Sequence, residues 1–271
     1  MQRGFRVLIG LLGTLSACQS DPKTTQPPAK TPVPGASARP AAAPPTGWAG
    51  QVDSLTARQL PALPRVAGQL LQARRWTDAA GENLLVVYRT EPVVRPSPDG
   101  DGGLDVASVQ LYARQYVRAA GGGYQELWRL QDAVTDCPFD LGLGPLPGST
   151  RITDLDHDGT TETTLVYSLA CRSDVSPDFL KLIMREGKTK YALRGYTVAP
   201  VDSLPVARHL PANSCCLDTI GKAQLDAPDG YELLPGRYEN ENDFRRAPRA
   251  FLGFARAHWR RSIARDNSAL L

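Results

Sequence analysis

The run Asp154-Leu155-Asp156-His157-Asp158-Gly159-Thr160-Thr161-Glu162 carries the clearest chemistry in the chain. Three carboxylates alternate at loop positions one, three and five, and a glycine at six permits a sharp turn. The backbone carbonyl of Thr160 at position seven and the carboxylate of Glu162 at nine extend an all-oxygen set. Ca2+ takes roughly six to eight oxygen ligands, and this spacing points several of them at one centre. Without a cation, carboxylates so crowded repel one another. An Asx-rich turn holding no metal is the plainer alternative. The expected metal is Ca2+ in a structural role. A catalytic ion needs an open position beside an acid or base, and the sequence marks none.

The loop is not an EF-hand, which requires a bidentate Glu at position twelve, where Leu165 stands. Strands rather than helices are expected on either side. In this it resembles the calcium hairpins of FG-GAP and VCBS-type repeat proteins, in which an Asp-x-Asp-x-Asp-Gly-x-x-Asp/Glu loop joins two strands.

Glycan hydrolysis uses two carboxylates flanking the scissile bond, and other acidic residues of the chain are candidates for it. Glu126, Asp132, Asp136 and Asp140 lie near one expected hairpin, but no spacing marks a pair. There is no Gly-x-Ser-x-Gly elbow, no His-Glu-x-x-His and no phosphate loop. The expectation leans away from an enzyme.

Four hairpins are expected to position these groups. Residues 69–76 and 83–90 flank Asp78-Ala79-Ala80-Gly81, and residues 106–119 and 124–130 flank Gly121-Gly122-Gly123. Residues 150–153 and 163–170 flank the acidic loop, and residues 179–185 and 190–198 flank Glu186-Gly187-Lys188. β-Branched and aromatic runs broken by glycine-bearing turns signal hairpins. The fold class expected is therefore mainly β: an antiparallel hairpin meander, propeller-like or sandwich-like, with one C-terminal α-helix. A faint repeat relates Arg75-Trp76-Thr77-Asp78 to Arg151-Ile152-Thr153-Asp154, with Trp76 expected as a core or cross-strand residue rather than a ligand platform. Residues 202–242 are rich in Pro, Gly and Asn and are expected as loops.

The helix is placed at 247–265, where Phe251, Ala255, Trp259 and Ile263 recur every four residues as one apolar stripe. Arg249, Arg256, Arg260, Arg261 and Arg265 give it a cationic face. That face is either solvated or a patch for anionic headgroups or acidic polysaccharide.

The N-terminus carries a different chemistry. Arg3 and Arg6 precede an apolar run over residues 7–15, too short to span a bilayer, and a small-residue site follows. The ending Leu15-Ser16-Ala17-Cys18 resembles a lipobox. The resemblance implies that residues 1–17 are a signal peptide and that Cys18 is lipidated and becomes the first residue of the mature chain. Two or more acyl chains anchor stably, where one is marginal. Gln19, rather than Asp, favours the outer membrane under the lipoprotein sorting rule. Residues 18–50 then form a Pro- and Ala-rich linker too poor in large apolar side chains to fold. Residues 51–271 are expected as a single β-rich domain.

Charge and cysteines narrow the class. Of 31 basic side chains, Arg3 and Arg6 leave with the signal, against 28 acidic ones. A nearly neutral chain lacks the basic footprint of a nucleic-acid binder. Four of the five cysteines remain once Cys18 is taken by lipid. Export to an oxidising compartment favours disulfides. Cys137 and Cys171 are expected to pair because they flank the same two strands. Cys215 and Cys216 could bond to each other, bond elsewhere or stay reduced. A zinc site is the weaker alternative, since His157, His209 and His258 are scattered and no CxxC pair exists.

The stretch from Asp154 through Cys171-Arg172-Ser173-Asp174-Val175-Ser176-Pro177 to Lys181-Leu182-Ile183-Met184 and Lys190-Tyr191-Ala192-Leu193-Arg194-Gly195 resembles a bacterial envelope family labelled "surface polysaccharide biosynthesis protein". The likeness is best over residues 150–196, with a fainter echo around Trp259. It implies a part in making or exporting surface polysaccharide and transfers no catalytic residue. The function expected is a non-enzymatic, membrane-anchored envelope lipoprotein that supports surface polysaccharide biosynthesis or display. Its partners would be the membrane, through the lipid, and envelope polysaccharide or its assembly proteins. The alternatives are a secreted glycan hydrolase and a glycan-binding module.

Overall fold

The computed structural model describes residues 48–97, 103–119, 121–174, 176–199 and 208–263. The chain divides into two units, Met1–Ala42 and Ala43–Leu271. The first unit, with the expected signal peptide and Cys18, lies outside the described residues, as do most of the linker and Arg265.

Two antiparallel sheets make up the second unit, so the sandwich-like form of the expected meander is the one found. The first sheet contains β1 (Asp53–Ser54), β2 (Gln69–Asp78), β3 (Gly81–Arg89), β4 (Val93–Arg95), β5 (Val106–Arg118) and β6 (Gln125–Cys137). Its order is β1-β2-β3-β5-β4, with β6 also paired to β5. The second contains β7 (Asp140–Pro145), β8 (Arg151–Thr153), β9 (Glu162–Arg172), β10 (Phe179–Glu186) and β11 (Thr189–Tyr196). It runs β11-β10-β9-β7, with β8 also on β9. All four expected hairpin pairings are present. The β7 strand was not expected: Asp-Leu-Gly-Leu-Gly-Pro has little strand propensity, and its place comes from pairing with β9.

The apolar runs make sense once both faces of each sheet are covered. On β3, Leu85 and Val87 point between the sheets, while Leu84 and Val86 pack under Leu55, Leu60 and Leu63 of the N-terminal strap. On β9, Leu165, Tyr167 and Leu169 face the other sheet, and Val166 faces the C-terminal layer. A strand buried on both sides loses the alternation of a half-exposed one. Trp76 is in the inter-sheet core, as expected.

The outer layer on the second sheet is the C-terminal helix. It spans Arg249–Ile263, beginning two residues after the 247 expected, while the expected residues 264 and 265 lie outside the described residues; it follows the four-residue helix α1 (Lys222–Leu225) within the loop region, and the C-terminal helix is α2. Phe251, Ala255, Trp259 and Ile263 are all fully buried on Leu180, Leu182, Met184 and Leu193. The stripe widens through His258 and Ser262, giving the 3.6-residue period of a core-facing helix. Two arginines of its cationic face are engaged: Arg256 binds Glu241, and Arg260 donates to the carbonyls of Pro211 and Ala212. Gly195 lets the returning chain approach β11, since a Cβ there would lie 2.0 Å from the carbonyl oxygen of Arg237.

Cys137 and Cys171 are bonded, joining the end of β6 in one sheet to β9 in the other. Cys215 and Cys216 are bonded to each other.

Candidate functional site

The acidic loop leaves β8 after Thr153 and returns at Glu162, the first residue of β9. Its reversal depends on left-handed backbone at His157 (φ 61°) and Gly159 (φ 87°). Glycine takes such angles freely, and His is one of the few other side chains found there with any frequency. The Thr160 N–H donates to Asp158 Oδ1 at 2.7 Å, closing an Asx turn inside the loop.

The carboxylates gather into two overlapping triads. Asp154, Asp156 and Glu162 form one, and Asp156, Asp158 and Glu186 the other; within each, oxygens lie within 4.8 Å of one another. Asp158 is thus grouped with Glu186 rather than with Asp154 and Glu162. Sequence reasoning missed Glu186, which ends β10 and sits directly opposite Glu162 in the antiparallel register. The signal for it was the hairpin register, which brings the Glu186-Gly187-Lys188 turn beside the loop. Like charges directly opposite one another on paired strands are destabilising.

Electrostatics record this crowding. Burial first, and the Asp156 charge as well, push Glu162 up to about 7, although the Thr153 hydroxyl (2.8 Å) and the Leu155 N–H oppose the shift. Glu186 is also raised, by burial and then by Asp156, Asp158 and Asp154. Asp154 Oδ1 is buried with no hydrogen-bond partner. A buried acceptor without a donor is costly, and a cation is a group that satisfies it. The donor set is all oxygen and anionic, which suits a hard divalent ion.

The loop is braced from the other sheet. Thr161 donates through both its N–H and its hydroxyl to Asp78 Oδ2, at 3.1 and 2.7 Å, and Trp76 Nε1 donates to the Thr161 hydroxyl at 2.7 Å. The Ala79 N–H reaches the carbonyl of Gly159 at 2.9 Å. The two copies of the faint repeat therefore lie in different sheets, and the turn of the first grips the loop of the second.

The acids that could serve hydrolysis are each engaged or placed separately. Glu126 is held by Arg114 and Arg129, and Asp136 pairs with Arg95. Asp132 lies between the sheets, accepting from Lys181 Nζ at 2.5 Å and the Tyr167 hydroxyl at 2.8 Å. Asp140 is exposed at the start of β7.

A second feature lies on the flank where β9 and β10 meet the C-terminal loops. This open cleft of 1380 Å3 is lined by Phe139, Arg172, Phe179, Tyr196, Tyr231 and Arg237, among others. No family model matches the chain, and no curated protein or solved structure matches it.

Proposed function

We propose that the chain is a non-catalytic envelope lipoprotein, anchored through lipid on Cys18 at the outer membrane, that supports surface polysaccharide biosynthesis or display. Its hairpin loop binds Ca2+ as a structural ion through Asp154, Asp156, Asp158, Glu162 and the Thr160 carbonyl, with Glu186 as an added ligand. The lipobox-like Leu15-Ser16-Ala17-Cys18, the linker and the family resemblance support the anchor and the polysaccharide role. The use of the carboxylates carries the non-catalytic reading: the strongest acidic cluster converges on itself in the loop, while Glu126, Asp132 and Asp136 are bound by cations. The buried, unpartnered Oδ1 of Asp154 supports the metal. A bound ion would lock the β8–β9 loop to the end of β10, and so hold rigid the loop that Asp78 and Ala79 grip from the other sheet.

The test is deletion followed by complementation in the native cell, with cell-surface polysaccharide as the readout. Loss of polysaccharide on deletion, restored by the wild-type chain but not by Cys18→Ala, is the expected result. Unchanged polysaccharide in the deletion strain would sink the functional reading. Mass spectrometry of the mature N-terminus tests the anchor separately; an unmodified chain beginning before Cys18 overturns it.

A further inference from the structure

Six large hydrophobic side chains stand out as exposed among the described residues, and three of them, Phe139 (50 %), Phe179 (57 %) and Tyr231 (65 %), converge on the 1380 Å3 cleft. Concentration of exposed rings in one concave site is the mark of a binding surface rather than of scattered surface apolarity. Phe179 and Tyr196 are register partners on β10 and β11, and their ring centroids lie 4.9 Å apart. Together they make an aromatic shelf whose two ring planes are tilted 36° to one another, with Phe139 and Tyr231 as further lining rings.

The wall beside the shelf is fixed in advance. Arg172 Nε donates to Asp178 Oδ1 at 2.7 Å, and its NH1 donates to the carbonyl of Asp174 at 2.6 Å. The Ser176 N–H donates to Asp174 Oδ1, and the Asp178 N–H to the Thr197 hydroxyl. These bonds hold the Cys171-Arg172-Ser173-Asp174 segment, while the Cys137–Cys171 bond ties it to the other sheet. A wall built this way loses little freedom when a ligand arrives.

Charge and backbone pairing select the occupant. The lining carries Arg172 and Arg237 against Asp174, Asp178 and Glu232, and Arg172 is already neutralised by Asp178. Such an interspersed, nearly balanced set does not build the positive field that draws a polyanion. A peptide adding as a strand would need free backbone on β11. That edge is taken: the Tyr196 N–H donates to Arg237, the Glu239 N–H donates to Arg194, and Gly195 bridges Tyr238. An acyl chain calls for an enclosed aliphatic pocket, whereas this cleft is open and its shelf is aromatic. An uncharged sugar polymer presents what remains: apolar C–H faces for the rings and hydroxyls for paired carboxylate and guanidinium groups.

We propose that this cleft binds an uncharged glycan chain, with sugar rings laid on the Phe179–Tyr196 shelf and against Tyr231. The assignment rests on the polysaccharide role proposed above and names where that polymer would be held.

The experiment is calorimetric titration of the full chain in mild detergent with neutral hexose oligosaccharides (maltohexaose and cellohexaose) and with an acidic oligogalacturonate. Binding of a neutral oligosaccharide is expected, weakened about threefold to tenfold by Phe179→Ala and by Tyr231→Ala. Val93→Ala, at an exposed side chain away from the cleft, should leave it unchanged. Phe179 and Tyr231 are exposed, so their removal leaves the core intact, and circular dichroism of each variant checks folding. Absence of neutral binding, indifference to both ring removals, or tighter binding of the acidic oligomer each overturns the proposal. If polysaccharide is lost on deletion yet the Phe179→Ala/Tyr231→Ala chain restores it fully, the cleft assignment falls and the cellular role stands.

Discussion

The carboxylate of Asp78, at the end of β2, is the anchor point for Thr161, which enters β9 from the acidic loop, and it takes both the N–H and the hydroxyl of that residue. Asp78 is 2 % exposed and also accepts the Ala80 N–H at 2.9 Å. Removing it strands three donors around a buried site, two of them on Thr161 of the candidate metal loop. Asp78→Ala should cost about 2–4 kcal/mol in urea unfolding, and it should reduce the response of the melting temperature to Ca2+. A loss under about 0.5 kcal/mol, within the range of ordinary surface substitutions, would show that the grip contributes little.

Ca2+ should raise the melting temperature of the chelator-treated protein. At a free concentration of 100 times Kd the gain is about 2.7 kcal/mol. Glu186→Gln is the sharper test, because Glu186 lies outside the loop motif and only the register brings it in. The variant should fold and need more Ca2+ for the same thermal shift. Equal titration curves for Glu186→Gln and wild type would remove Glu186 from the ligand set, and no shift in either would remove the ion.

The polar centre of the sandwich should be equally sensitive. Gln115 Oε1 accepts from Trp128 Nε1 at 2.9 Å and from the Thr163 hydroxyl at 2.8 Å, while its Nε2 donates to Asn83 at 2.8 Å. Gln115 sits where the β5–β6 register shifts, the kind of irregularity that re-aims a side chain. Gln115→Leu leaves three buried partners unmet and should cost about 2–4 kcal/mol. A neutral result in denaturant would mean that the core repacks around the leucine.

The bond between Cys137 and Cys171 closes a separation of 34 residues. Replacing both with Ala should lower stability by about 2–4 kcal/mol, chiefly by freeing the unfolded chain. Reductant should destabilise the wild type and leave the double variant unmoved by this route; an equal response in both would place the redox-sensitive element elsewhere.

One acid should report on the docking of α2. Arg256, by its hydrogen bonds, holds the Glu241 carboxyl below its usual value, against the opposing effect of burial, and the Tyr238 hydroxyl helps. A depressed folded-state value means that the contribution is present above the unfolded value, roughly 4.3, and is lost as pH falls through the lower folded value. Glu241→Gln should therefore be less stable than wild type at pH 6, with the gap closing below about pH 4. A gap independent of pH would trace the effect to shape rather than charge.

The local features are legible in the order of residues alone. The apolar stripe of α2, the four hairpins, and the loop oxygens with their turn at Gly159 are written as spacings of a few residues. Each expresses a backbone period or a steric rule that needs no distant partner. The tertiary structure alone decided what depends on register and stacking. It divided the hairpins between two sheets, placed the glycine-bearing β7 on β9, and set Glu186 across from Glu162. It also brought Asp78 to Thr161 and assembled Phe139, Phe179, Tyr196 and Tyr231 around one cleft. Asp78 and Thr161 are 83 positions apart. Contacts of that kind arise only when whole faces are buried against each other, since hydrophobic burial acts on surfaces and carries no record of sequence distance.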